Sequence, residues 1–161
     1  MKYYYMIDDK DKLILEELQE NCKKSTKEIA KKLKTPVSTV YLRIKKLEKK
    51  GVIKRYTSIV DGKYLDKGTT AFILVSFVSR LPGINHNLSQ RDIAEKIAKF
   101  PEVQEVHIIS GDWDILIKVK GRDTEEIGKF VVDKLRGIEG IDKTLTCMTF
   151  GTAKETLKIP L

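Results

Sequence analysis

Apolar residues in the first 50 positions recur at helical spacing and predict three short helices. The first begins at a capping aspartate, Asp8 or Asp9, and ends near Asn21. The second begins at a capping box, in which the side chains of Ser25 and Glu28 each accept from the other residue's backbone N–H. Both start signals are local, so the sequence predicts where these helices begin.

A tight turn at Pro36 separates the second helix from the third. Proline lacks a backbone N–H and disfavours helical geometry in the residue before it, so the second helix ends there. The third helix runs from Val37 to about Lys50, and Gly51 ends it. Two short helices joined by a three-residue turn match the helix-turn-helix motif, which places its second helix in the major groove of DNA.

The third helix has two chemically different faces. Val40, Ile44 and Leu47 lie together at 100° per residue and predict a buried face. The opposite face and its edges carry basic and hydroxyl-bearing side chains, which suit phosphates and base edges. A solvated lysine-rich helix face has a similar composition, but the preceding capped helix and proline turn favour DNA binding. The predicted DNA-binding residues are Ser38, Thr39, Leu42, Arg43, Lys45, Lys46 and Lys49.

After the helices, the pattern changes to apolar strands alternating with amphipathic helices. Residues 52–60 alternate at period two and predict an extended segment, and residues 64–70 predict a hinge-like passage. The order that follows is strand, helix, strand, strand, helix and strand, with Thr124 capping the second helix. The predicted strands span residues 71–78, 103–110, 115–120 and 141–150, and the first helix spans residues 88–99. Residues 152–161 predict a further extended or partly disordered tail.

This order is typical of the ferredoxin-like βαββαβ fold, so the predicted class is α+β with an antiparallel sheet. The predicted domains are a helix-turn-helix domain with its linker, residues 1–63, and a ferredoxin-like domain, residues 64–161. Both helices of that fold cover one sheet face. Residues 71–78 are apolar except for Ser76 and predict burial on both faces, so something must cover the second face. We expect a second copy of the chain related by a two-fold axis.

The positive charge of the chain is concentrated in its first third. Residues 1–63 hold 17 Lys and Arg against 9 Asp and Glu, and the remaining residues hold 14 of each. The net charge of +8 therefore belongs to the helical region. A local basic excess is what a phosphate-binding surface needs, so the expected partner is double-stranded DNA.

Other composition features exclude several classes of protein. No apolar run approaches the ~20 residues that span a bilayer, and the first residues do not predict a secretory signal. Cys22 and Cys147 lack metal-ligand spacing and predict reduced thiols in a cytoplasmic protein. His86 and His107 have no partnered ligands, so we expect no metal, no cofactor and no catalytic residues.

The turn between the second and third strands has chemistry that suits a zwitterion. Gly111 allows a positive φ that turns backbone N–H groups towards a carboxylate, and Asp112 or Asp114 can accept from an ammonium group. Thr144 and Thr146 share one face of the last strand and offer hydroxyl groups. An ordinary β-turn with acidic residues remains the alternative. The predicted effector-binding residues are Gly111, Asp112, Trp113, Asp114, Thr144 and Thr146.

Over nearly its whole length the chain resembles the Lrp/AsnC (leucine-responsive, or feast/famine) family, in a form similar to archaeal members. The resemblance rests on the runs Asp8-x-x-Asp11-x-x-Ile14-Leu15-x-x-Leu18, Ser25-x-x-Glu28-Ile29-Ala30, Val40-x-x-Arg43-Ile44-x-x-Leu47-x-x-x-Gly51-Val52-Ile53, Pro82-Gly83, Pro101-Glu102-Val103 and Gly111-Asp112-Trp113-Asp114. It implies a transcriptional regulator with homodimers that assemble into tetramers or octamers. It also implies an amino acid or related effector bound between dimers.

The chain departs from the family pattern in its effector turn. Trp113 stands where the family usually has tyrosine, and its indole N–H can only donate a hydrogen bond. The alternative function is that of a sirohaem decarboxylase-like enzyme, a class that resembles this family in both domains. Such an enzyme needs arginine and histidine side chains around a macrocycle, and the strand region offers few. We therefore expect a regulator and not an enzyme.

Overall fold

The computed structural model describes residues 7–80 and 88–161, so the Pro82-Gly83 loop, His86 and the first six residues lie outside the described chain. The chain divides into two compact units. The N-terminal unit comprises Met1–Ile59 and Lys154–Leu161, and the sheet unit comprises Val60–Ala153. The observed division differs from the predicted domains, residues 1–63 and 64–161, because the last eight residues group with the helices.

Three helices form the N-terminal unit: α1 (Asp9–Glu20), α2 (Thr26–Lys32) and α3 (Val37–Lys49). Both predicted caps are confirmed. The Asp8 carboxylate accepts from the Asp11 backbone N–H at 2.8 Å, and the Ser25 hydroxyl accepts from the Glu28 N–H at 3.2 Å. The apolar faces of the three helices form one core, whose buried members are Ile14, Leu15, Ile29, Ala30, Val40, Ile44 and Leu47.

Two carboxylates of α1 are buried beside this core, and each is paired with a neighbouring basic side chain. Asp11 accepts from the Arg43 guanidinium of α3 at 2.8 Å. Glu17 is bound by Lys24 at 2.8 Å and by Lys32 of α2, and these hydrogen bonds hold the pKa of Glu17 below its usual value. A buried carboxylate without such partners would cost several kcal/mol, roughly. These three ion pairs therefore fix α1 against both other helices.

The predicted extended segment and hinge take a different form in the structure. Residues 54–61 carry no regular element, and a 3₁₀ turn, Gly62–Leu65, occupies the start of the expected hinge. The Asp61 side chain caps this turn by accepting from the Lys63 backbone N–H at 3.0 Å. Asp66 ends it in the left-handed conformation at φ 51°.

The sheet unit contains β1 (Thr69–Phe77), β2 (Val103–Ile108), β3 (Ile115–Gly121) and β4 (Ile141–Met148). The spatial order is β2-β3-β1-β4, and all neighbouring strands are antiparallel. This is the strand order of a ferredoxin-like sheet, so the α+β class and the predicted topology are confirmed.

Two helical segments connect the strands of this sheet. The first, α4 (Gln90–Ile97), is capped by Ser89. The second begins as α5 (Thr124–Lys129) and continues as a π-helical segment, Phe130–Leu135. The predicted cap at Thr124 is wrong by one residue, because the Asp123 carboxylate accepts from the Glu126 N–H at 2.8 Å.

The sheet has one buried face and one open face within the single chain. Along β1, Ala71, Ile73 and Val75 are fully buried under the helices, whereas Phe72 is 39% exposed. The second face is therefore open in one copy of the chain, as the predicted topology requires, and its burial by a second copy stays a prediction. On the open face, Leu74 pairs with Leu116 of β3 and Leu145 of β4, so a row of leucines crosses three strands.

The C-terminal tail, expected to be extended, has no regular element but makes specific contacts in the N-terminal unit. The Gln19 side-chain amide of α1 donates to the Ile159 carbonyl at 3.0 Å and accepts from the Ile159 N–H at 2.7 Å. Lys158 forms an ion pair with Glu20 beside it. The tail is thus bound to the end of α1.

Candidate functional site

The α3 helix presents the two faces that its sequence predicts. Val40, Ile44 and Leu47 are buried, while Leu42 on the opposite side is 65% exposed. The predicted DNA-binding residues divide into an exposed group, Ser38, Leu42, Lys45, Lys46 and Lys49, and a half-buried pair, Thr39 and Arg43. An exposed basic face on a helix with a buried apolar side can lie against a polyanion without unfolding its own core.

Arg43 contacts α1 and does not belong to the open part of this face. Its guanidinium lies 2.6 Å from the Asp8 carboxylate and 2.8 Å from that of Asp11, the two members of the α1 capping box. The hydrogen bond from Arg43 holds the pKa of Asp8 below its usual value. The sequence predicts that Arg43 lies at the edge of the basic face of α3. It gives no signal for Asp8 and Asp11 as partners, because they are 35 and 32 residues away along the chain.

A second set of contacts joins the outer face of α3 to the chain that follows it. Glu48 lies 2.8 Å from the Lys45 ammonium and accepts from the Tyr56 hydroxyl at 3.0 Å. Burial, together with the Glu48 carboxylate, raises the pKa of Tyr56 to about 12. Lys45 therefore has an intramolecular partner that a bound phosphate would have to compete with.

The turn at residues 111–114 combines an open tip with a fixed base. Gly111 has a φ of +119°, as its predicted role requires, and Asp112 is exposed. Asp114 is half-buried: its carboxylate accepts from the Phe77 N–H at 3.0 Å, where the pairing of β1 with β4 shifts register. Its carbonyl accepts from the Gln90 side chain at 2.8 Å. Asp114 therefore ties the turn to β1 and α4, a role that sequence reasoning missed.

The predicted threonines lie on β4 at the same end of the sheet as the turn. Thr144 pairs with Val75 of β1, which pairs on its other side with Ile115, the first residue after the turn. Two strand spacings separate Thr144 from Ile115, or about 10 Å. Thr146 is two pairs further from the turn, opposite Ile73. Arg136, which sequence reasoning did not identify, donates from Nε to the Thr144 hydroxyl at 3.1 Å.

A cleft of about 390 Å³ lies at the opposite end of the sheet, and sequence reasoning did not predict it. Its lining includes Lys67, Pro101, Glu102 and Lys120. Burial opposes ionisation of Glu102, but the ammonium of Lys134 and other contacts outweigh it and lower the pKa of the carboxyl. The cleft-lining residues come from distant parts of the chain, so no local pattern marks them.

The described part of the chain contains neither a metal-binding cluster nor a membrane-spanning helix. Within residues 7–80 and 88–161, no group of three or more His, Cys, Asp or Glu side chains is placed to hold a metal ion. In the same residues, no helix has the length and apolar character to cross a membrane. Cys22 and Cys147 are exposed free thiols.

Two family models match the chain, one over its helices and one over its sheet. Residues 7–54 match a winged helix-turn-helix DNA-binding model, and residues 70–159 match the Lrp/AsnC ligand binding domain. The two matches cover α1–α3 and the four-stranded sheet respectively.

Similar proteins match along nearly their whole lengths. An HTH-type transcriptional regulator of Pyrococcus furiosus is 43% identical over 152 residues, which are 94% of this chain and 98% of the relative. The transcriptional regulator AzlB of Bacillus subtilis is 33% identical over 97% of this chain and 96% of its own. A transcriptional regulator of Neisseria meningitidis in complex with L-Met has a TM-score of 0.86 at 26% identity, covering 96% of this chain and 97% of that one.

Replacing Arg43 by methionine should destabilise the N-terminal unit. The change leaves the buried Asp11 carboxylate without its guanidinium partner, at a cost of roughly 1–3 kcal/mol. Urea unfolding followed by circular dichroism measures the change. Arg91→Met, at an exposed position on α4, is the matched control and should have little effect. Equal midpoints for the two variants would contradict the role given to Arg43.

The two aspartates of the turn should differ in their effect on stability. Asp114→Ala removes the acceptor of the Phe77 N–H and should lower the stability of the ligand-free protein by about 1 kcal/mol. Asp112→Ala changes an exposed side chain and should leave the melting temperature unchanged. Differential scanning calorimetry measures the melting temperatures. If both variants melt like the wild type, the hydrogen bond from the Phe77 N–H to Asp114 does not stabilise the fold.

Proposed function

The chain belongs to the Lrp/AsnC family of transcriptional regulators, and we propose that α3 binds the major groove of its operator while the sheet unit binds an amino-acid effector. The observation that carries the proposal is the exposed basic face of α3, in a unit that holds the chain's whole excess of positive charge. Local positive charge opposite a buried apolar face is the arrangement that groove binding needs.

The exposed residues of α3 divide by chemistry into two proposed roles. Lys45, Lys46 and Lys49 contact backbone phosphates and set the register of the helix on DNA. Ser38, Thr39 and Leu42 approach base edges, where hydroxyl groups bond to bases and an apolar side chain contacts the thymine methyl group. Arg43 acts indirectly, since its contacts with Asp8 and Asp11 support the proposal that it holds α3 in position.

The proposed effector is a free amino acid bound at the turn end of the sheet. The positive φ of Gly111 lets backbone N–H groups face outwards, and the exposed Asp112 carboxylate can accept from an ammonium group. Trp113 and the hydroxyl groups of Thr144 and Thr146 would contact the rest of the molecule, and Asp114 would hold the turn. The complex of the Neisseria meningitidis regulator with L-Met supports this class of ligand.

The open face of the sheet supports the further proposal of a homodimer, with tetramers or octamers built from it. The leucine row formed by Leu116, Leu74 and Leu145 and the half-exposed Phe72 form an apolar surface on one copy of the chain. Apolar surfaces of this kind are usually covered in soluble proteins. A two-fold dimer also presents two α3 helices to successive major-groove faces, which lie about 34 Å apart.

Lys49→Ala should weaken binding to operator and random DNA alike, whereas Thr39→Ala should mainly reduce the difference between them. A phosphate contact carries no sequence information, and each one lost lowers the salt slope by about one. The probes are a duplex selected from a random pool by the wild type and an unselected duplex, compared by fluorescence anisotropy from 50 to 200 mM salt. Lys129→Ala, on α5, is the control. A flat salt dependence in the wild type, or unchanged random binding by Lys49→Ala, would contradict the proposal.

Leu74→Lys should reduce the assembly size, because it puts a charge in the centre of the leucine row. Sedimentation velocity at micromolar concentration measures the change. Val132→Lys, at an exposed apolar position on the π-helical segment, is the matched control and should sediment like the wild type. If Leu74→Lys and the wild type form the same assembly, another surface covers the sheet or joins the copies.

A further inference from the structure

Arg136 is placed at the turn end of the sheet by two hydrogen bonds. It follows the π-helical segment, and its backbone N–H donates to the Val131 carbonyl at 3.0 Å. Its side chain reaches β4, where Nε donates to the Thr144 hydroxyl at 3.1 Å. Thr144 lies across Val75 from Ile115, the residue that follows the turn. The guanidinium is therefore held at the same end of the sheet as the turn.

The hydrogen bond to Thr144 uses only one part of the Arg136 guanidinium. The side chain is exposed, and within residues 7–80 and 88–161 no carboxylate pairs with it. The guanidinium groups of Arg43 and Arg122 differ, because both are bound to carboxylates of their own units. Both terminal amino groups of Arg136 thus remain available to an anion, and the planar fork matches the geometry of a carboxylate.

Thr144 adds a further donor beside this fork. Its hydroxyl oxygen accepts from Arg136, so the hydroxyl proton is left to donate to another acceptor. The two side chains together offer hydrogen-bond donors and one positive charge. An ionised carboxylate has only acceptors, and it is the common small group that satisfies such a set.

The geometry points to Arg136 as the residue that binds a carboxylate of the effector, with Thr144 donating to the same group. This inference rests on the amino-acid effector proposed above and adds the residue that selects a free acid over a neutral analogue. The interaction is a bidentate, charge-assisted hydrogen bond between the exposed Arg136 guanidinium and the carboxylate. An α-carboxamide has the same shape but no charge and one fewer acceptor, so Arg136 discriminates against it.

The test compares free acids with carboxamides on the wild type and on substituted full-length protein. Thermal shift with each of the twenty L-amino acids and its α-carboxamide finds the binders, and isothermal titration calorimetry gives their affinities. For an acidic binder, the side-chain amide is measured as well, which identifies the carboxylate that Arg136 contacts. The variants are Arg136→Gln and Arg136→Lys. The matched control is Arg122→Gln, which follows β3 at the end of the strand away from the turn.

In Arg136→Gln the affinity for the free acid should fall roughly tenfold to a hundredfold, the value of a hydrogen bond to a charged group. Its affinity for the carboxamide should stay at the wild-type level, so its preference for the acid is lost. Arg136→Lys should recover part of that preference, because lysine keeps the charge but loses the fork. Arg122→Gln should behave as the wild type. If Arg136 had only a structural role, Arg136→Gln would lower the affinity for the free acid and for the carboxamide equally.

Two different results overturn the inference and separate it from the proposed function. If an amino acid binds the wild type and Arg136→Gln keeps the same preference for the acid, Arg136 does not bind the carboxylate and the effector proposal stands. If none of the twenty amino acids binds the wild type, the effector proposal and the inference both fail. DNA affinity without amino acids should be unchanged in Arg136→Gln, which checks that the variant is folded.

Discussion

Two buried carboxylates of α1 determine how the three helices of the N-terminal unit fit together. Asp11 is paired with Arg43 of α3, and Glu17 with Lys24, which precedes α2, and with Lys32, the last residue of α2. Removing one partner leaves a charge in a poorly solvated position, which is much costlier than losing a surface ion pair. The orientation of α3, and hence the direction of its basic face, depends on α1 through this pairing.

The sheet unit is governed by the alternation of side chains along β1. Successive residues of a strand point to opposite faces, so the apolar run at residues 71–75 supplies two hydrophobic surfaces. The α4 and α5 helices use one surface for the core, and the other remains open in a single copy. The turn that follows β2 is fixed to this same strand through Asp114, so the proposed effector site and the open face share one structural support.

Sequence patterns predicted the features that local chemistry determines. The capping aspartate before α1, the capping box at Ser25 and the break at Pro36 follow from spacings of a few residues, and the fold follows from the order of strands and helices along the chain; all are present in the structure. The partners of Arg43 lie 32 and 35 residues away along the chain, so no window pattern contains them. Asp114 was recognised as a turn residue, but its bond to Phe77 depends on a register shift between strands. The contact between Arg136 and Thr144 likewise depends on how a π-helical segment meets an edge strand.

The return of the C-terminal tail to α1 has a consequence for the order of events on the ribosome. All of Val60–Ala153 is synthesised between the helices and the last segment of their own unit. At ~5–20 residues per second, α1–α3 leave the ribosome several seconds before Ile159 can reach Gln19. The helical unit thus begins as an incomplete nascent domain and is completed only after residues 154–161 have been translated. A chain that lacks residues 154–161 would keep every strand of the sheet unit but lose the contacts of Lys158 and Ile159 with α1.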